Sequence, residues 1–195
     1  MRRQLTVFVT LALVMSSLTG VAGAKSETLN YRWLAGEGVV DFPGPGGLLC
    51  ALPPGCPDVA TASNGDFIEI EGEGTLSVHP KSVTGMGSFI HNFDAGGSVT
   101  GTWTATKLLS FKSYGSSPAS VGLPSTWEAG KAIIRVQLFV GGNPVAVATL
   151  TVGCILPEVE VPGGAFEGST LNVRGGLNFN KAELGSTLFI LQLQP

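Results

Sequence analysis

The side chains that could do chemistry are few, and most lie in one stretch. Glu69, Glu71 and Glu73 alternate along DFIEIEGEGTLSVHP, with Asp66 before them and Asp94 further on. Several carboxylate oxygens are what Ca²⁺ requires. One extended segment, however, spreads its side chains too far apart to close around an ion, so a solvated strand face is the simpler reading. His79 and His91 are the two histidines. A joint metal site would also need a carboxylate, and period-two alternation puts His79 with the glutamates and His91 with Phe89 and Phe93. Opposite faces separate them, so we expect no metal site, with His79 exposed and His91 hydrogen-bonded inside. Gly-x-Ser-x-Gly and His-Glu-x-x-His are both absent, so no nucleophile or zinc motif is legible. Gly-x-Gly occurs at 72–74 and 85–87, but inside extended segments and not ahead of a helix, which gives no phosphate cradle and no cofactor. What remains is an apolar ligand site built from His91, Phe89, Trp103 and Trp127, set against the commoner use of tryptophan as core.

These residues need an all-β frame. Ile68, Ile70, Gly72, Gly74, Leu76 and Val78 fall on one side of their segment, and Glu69, Glu71, Glu73, Thr75, Ser77 and His79 on the other. That is the signature of a strand with one buried and one wet face. Pro80-Lys81-Ser82 and Asp94-Ala95-Gly96-Gly97 read as turns, so Asp66 to Tyr114 forms three consecutive antiparallel strands. Paired glycines on the apolar face, 72 and 74 against 85 and 87, suit a sheet that coils sharply. Further strands are expected at Thr28–Leu34, Lys131–Val140, Pro144–Leu156, Thr170–Phe179 with a bulge at Gly175-Gly176, and Ser186–Leu193. Asp41–Asn64, rich in Pro and Gly, reads as one long loop, and Gly115–Gly130 as another that carries Trp127. Seven to eight strands at hairpin spacing predict an antiparallel up-and-down β-barrel, with a β-sandwich as the alternative.

Residues 1–24 form a secretory signal: Arg2 and Arg3, an apolar run from Leu5 to Val14, and Ala22-Gly23-Ala24 before Lys25. The run is too short for an ordinary membrane span. The expected product is one all-β domain, 25–195, secreted or periplasmic after cleavage near Ala24, with no transmembrane segment. Losing two arginines would take the formal charge of −3 to about −5, and no basic cluster suggests nucleic acid as a partner. Only 13% of residues are charged, while 28 are glycine. That balance fits a folded β-protein and not a disordered one. Of the three cysteines, Cys50 and Cys56 flank a short Pro-rich turn and are the expected disulfide. So small a ring would contribute roughly 2–3 kcal/mol on the loop-entropy model. Cys154 then packs as a small hydrophobe, although a bridge from the loop to Cys154 stays open.

The segments GEGTLSVHPKSVTG and GTWTATKLLSFKSYG resemble bacterial secreted proteins of unknown function, over about a third of the chain. The glycine-rich strands also look similar to the dirigent and allene oxide cyclase barrels. The resemblance implies a coiled barrel and transfers no catalytic residue. The expected function is therefore non-enzymatic binding of a small apolar ligand or a cell-surface partner. A structural role at the cell surface is one alternative, and a cavity-based isomerase or cyclase using His91 and nearby acids is another.

Overall fold

The computed structural model describes residues 28–36 and 57–193. The expected leader, most of the Pro/Gly-rich loop and the Cys50–Cys56 pair lie outside them. In chain order the strands are β1 (Asn30–Ala35), β2 (Asp58–Ala62), β3 (Phe67–Ser77), β4 (Ser82–Asn92), β5 (Ser98–Gly115), β6 (Trp127–Val140), β7 (Asn143–Cys154), β8 (Gly168–Val173), β9 (Asn178–Leu184) and β10 (Thr187–Gln192). Among the described residues the one helical element is a 3₁₀ turn at Ala119–Val121. Every strand pairing is antiparallel.

The alternation in β3 produces the expected faces. Ile68, Ile70 and Leu76 are buried, while the glutamates accept partners from outside: Arg32 Nη2 reaches Glu73 at 2.6 Å and Asn92 Nδ2 reaches Glu69 at 2.9 Å. The ladder closes in two ways. β1 pairs with Gly72–Ser77 of β3, whereas β2 pairs with Phe67–Ile70 of the same strand. Likewise β10 pairs with Trp127 and Glu128 of β6, and β7 takes Gly130 to Val140. The shared wall β3–β4–β5–β6 is thus closed by β10 and β1 into a six-strand ring. At the other end it is closed by β7, β8, β9 and β2 into an eight-strand ring. Closure on both routes leaves few edges free for pairing with other chains.

The six-strand end is filled by aromatic rings. Tyr31, Phe111 and Phe189 pack in sequence at centroid distances of 4.7 and 5.0 Å, the first pair tilted and the second edge-to-face. Trp33 and Trp103 stack at 5.8 Å. These two arrive from β1 and β5, on either side of the β3–β4 hairpin, and they meet over its glycines. Gly72 lies opposite Gly87 and Gly74 opposite Gly85. A methyl group at Gly85 would stand 2.6 Å from Trp33 Cζ2, and one at Gly87 would run into both Trp103 and the Glu71 carbonyl. The glycines are therefore the floor on which the indoles lie, a close approach that any side chain would block.

Several expectations are corrected. Among the described residues there are ten strands, not seven or eight, because two of them are hidden in the sequence. β2 lies inside the segment read as one long loop. Its five residues, DVATA, follow Pro57 directly, so turn residues masked a short strand. Gly175-Gly176 is not a bulge but the turn between β8 and β9, with Gly175 at φ 73°. The connection is also not simply up-and-down, since β1 and β2 share one edge of β3. Trp127 opens β6 and does not sit in a loop.

Candidate functional site

The eight-strand end is not filled. A cavity of about 230 Å³ opens there, lined by Ile68, Phe89, His91, Val99, Leu138, Val140, Val145, Ala146, Leu171, Val173, Leu177 and Phe179. Each strand gives it inward positions by alternation. Ile68, His91 and Val99 form one row across β3, β4 and β5. Phe89, two residues before His91, turns the same way, and its ring occupies the space left by Gly101. All the lining side chains but one are apolar, and that one is His91.

His91 is held on three sides. Its Nε2 lies 2.8 Å from Asp66 Oδ2, its ring is 4.4 Å from Phe93, and Phe179 meets it edge-on at 5.1 Å. Asp66 is itself fixed. Its Oδ1 accepts the Asp94 N–H at 3.0 Å, and its own N–H donates to Asn64 Oδ1 at 3.2 Å. The Asp94 backbone N–H, followed by His91, holds the Asp66 carboxyl below its usual pKa. The ionised carboxylate accepts from Nε2–H, which leaves Nδ1 as the ring nitrogen not engaged by Asp66. Val145 and Phe93 at the rim are exposed apolar residues.

Of the residues expected to bind a ligand, His91 and Phe89 share this cavity and Trp103 and Trp127 do not. Trp103 is 2% exposed, stacked on Trp33 beneath the cavity floor. Trp127 pairs with Ile190 at the end of β6 opposite Leu138 and Val140. Both pack in or against the core. The indole N–H groups of Trp33 and Trp103 are buried without a partner, each a cost of about 1–3 kcal/mol. His79 is exposed at the far end of the β3–β4 hairpin from His91. Among the described residues no three His, Cys, Asp or Glu side chains converge as metal ligands. No described helix is long and apolar enough to cross a membrane.

A second polar cluster was not legible beforehand. Where the two rings part, the ladder leaves backbone donors without partners, and two carboxylates take them. Asp58 Oδ1 accepts the Ser186 N–H at 2.8 Å. Glu167 accepts the N–H of Ile155 at 2.5 Å and of Thr187 at 2.8 Å. Burial pushes Asp58 up to about 7 and raises Glu167 as well. The Thr187 hydroxyl has one proton and two neighbours, Gly153 O and Glu167 Oε1. That proton goes to one of the two acceptors at a time. Cys154 packs beside them as a free, buried thiol whose pKa burial raises. These groups close a seam and do not face the cavity.

Compared with protein-family models, with curated proteins and with solved structures, the chain matches none.

Proposed function

We propose that this protein is a non-enzymatic β-barrel that binds a small apolar ligand at its eight-strand mouth. The observation that carries this reading is the apolar cavity with one polar group, His91, oriented by Asp66. Ligand sites are typically concave and apolar with a few placed polar groups. The volume, about 230 Å³, suits a ligand smaller than the usual drug-sized occupant. His91 Nδ1 would accept a hydrogen bond from a hydroxyl on such a ligand. The test is titration with an anilinonaphthalene probe and native mass spectrometry of the secreted protein. Ala146→Trp fills the mouth and should weaken probe binding by at least about tenfold while leaving the circular dichroism unchanged. Equal binding by this variant, or none by the unaltered protein, removes the reading.

The His91–Asp66 pair favours a second reading. A carboxylate-oriented imidazole beside an apolar chamber is the arrangement of a general base. In an isomerase or cyclase of an apolar carbonyl compound, Nδ1 would take the proton. His91→Gln should then abolish deuterium exchange into a bound enolisable ketone without abolishing its binding. Unchanged exchange assigns His91 to binding alone.

A further inference from the structure

The outer wall of β6–β9 carries a second hollow that shares only Val173 with the mouth. It measures about 530 Å³ and is lined by Arg135, Thr149, Asn172, Arg174 and Asn178, with Val147 and Val173 at its margins. Register explains the grouping. Arg135 lies opposite Thr149, Thr149 opposite Asn172, and Asn172 opposite Asn178. One line of outward side chains therefore crosses four strands, with neighbours roughly 5 Å apart. Arg174 follows at the next outward position after Asn172, anchored by its own N–H to Val147 O at 3.0 Å. Lys107 extends the line beyond Arg135 on β5.

The polar capacity of this hollow is unspent. Among the described residues none of the five side chains makes a hydrogen bond or ion pair, whereas Arg32, Lys181 and His91 each have a carboxylate. The charge is also segregated. β5, β7 and β8 contain no acidic residue, β6 has only Glu128, which is engaged by Tyr31 and Ser113, and β9 only Glu183, which is engaged by Lys181 and Thr61. In a chain of net charge −3, β5 and β6 nevertheless present Lys107, Lys112, Lys131 and Arg135, with Arg174 just past β8.

We propose that the hollow binds an acidic saccharide, the guanidinium groups taking a sugar carboxylate and the amides its hydroxyls. Guanidinium matches a carboxylate with two parallel hydrogen bonds. Asn172, Asn178 and Thr149 offer donors and acceptors together, which a polyhydroxylated ring requires and a bare anion does not. A second copy offering its β3 glutamates is disfavoured, because Glu73 and Glu69 already hold Arg32 and Asn92.

The test is a heteronuclear NMR titration of the full secreted chain with trigalacturonate, with maltotriose and inorganic phosphate as controls. Trigalacturonate should shift amides of β6–β9, and the neutral trisaccharide should bind at least about tenfold more weakly. Arg135→Ala and Arg174→Ala should each weaken binding about tenfold. Asn172→Ala should weaken trigalacturonate without affecting phosphate. All three positions are exposed, so the fold should survive. Ala146→Trp should leave this binding unchanged, which separates it from the apolar mouth. No shift, equal binding by the arginine variants, or phosphate binding as tight as the saccharide overturns the proposal. So does a concentration-dependent dimer that the arginine substitutions abolish, which would assign the wall to a second copy.

Discussion

Asp58 and Asp66 shift in opposite directions, and the balance of burial against hydrogen bonding decides which way each goes. At Asp66 the hydrogen bonds from the Asp94 N–H and His91 outweigh desolvation and lower the pKa; at Asp58 burial outweighs the hydrogen bonds its carboxyl accepts, that of the Ser186 N–H among them, and raises it. The signs follow. Asp66 contributes stability that is present above its unfolded pKa near 4 and is lost as pH falls through its depressed folded value. Asp58 is the reverse: between about pH 4 and 7 the folded state keeps a proton that the unfolded state has released, so stability falls as pH rises through that window. A shift to about 7 in a group this buried corresponds to a few kcal/mol at most. Asp58→Asn keeps an acceptor for Ser186 N–H and removes the titration. Its urea midpoint relative to the unaltered protein should rise between pH 5 and pH 8; a constant gap would show that Asp58 is already ionised. At the glycine floor, Gly87→Ala should cost roughly 1–3 kcal/mol, since the methyl meets a carbonyl and an indole and neither can retreat. A chemical-denaturation midpoint equal to that of the unaltered protein would mean the indoles do not lie on the hairpin.

At the scale of elements, β6 is the strand most fully committed. It pairs with β5 on one side and β7 on the other, and Ala132, Ile134 and Val136 are wholly buried. Its amides from Ile134 to Leu138 should exchange slowest, close to the rate set by global unfolding, with those of β9 faster because β9 is mostly exposed and pairs with β8 only at Asn178 and Phe179. Slower exchange in β9 than in β6 would contradict the ring order. The three-strand unit β3–β4–β5 was legible because its alternation is strict and its turns carry glycine and proline. β2 was not, since five residues are too few to display a period beside so many turn formers. β8 and β9 were read as one strand because Leu171, Val173, Leu177 and Phe179 keep period two straight across the Gly175-Gly176 turn.

For the molecule as a whole, four strands belong to both rings, so neither end can open without loosening the wall of the other. Unfolding should therefore be a single transition. Tryptophan fluorescence, which reports Trp33, Trp103 and Trp127 on strands of the six-strand ring, should give the same urea midpoint as far-ultraviolet circular dichroism. Separate midpoints would mean that the mouth unfolds independently, and would weaken the case for a preformed ligand cavity.

Sequence alone determined the all-β class, the two faces of β3, the wet glutamates and the separation of His79 from His91. All of these follow from local alternation, which needs no knowledge of what a strand packs against. Only the tertiary structure decided which strand ends coincide. That decision brings Asp66 to His91, lays Trp33 and Trp103 on the paired glycines, removes Trp127 from the mouth, and aligns Arg135 with Asn172 across β7. Each is a contact between strands distant in sequence, and its register depends on how the sheet closes into rings, which no single strand's pattern encodes.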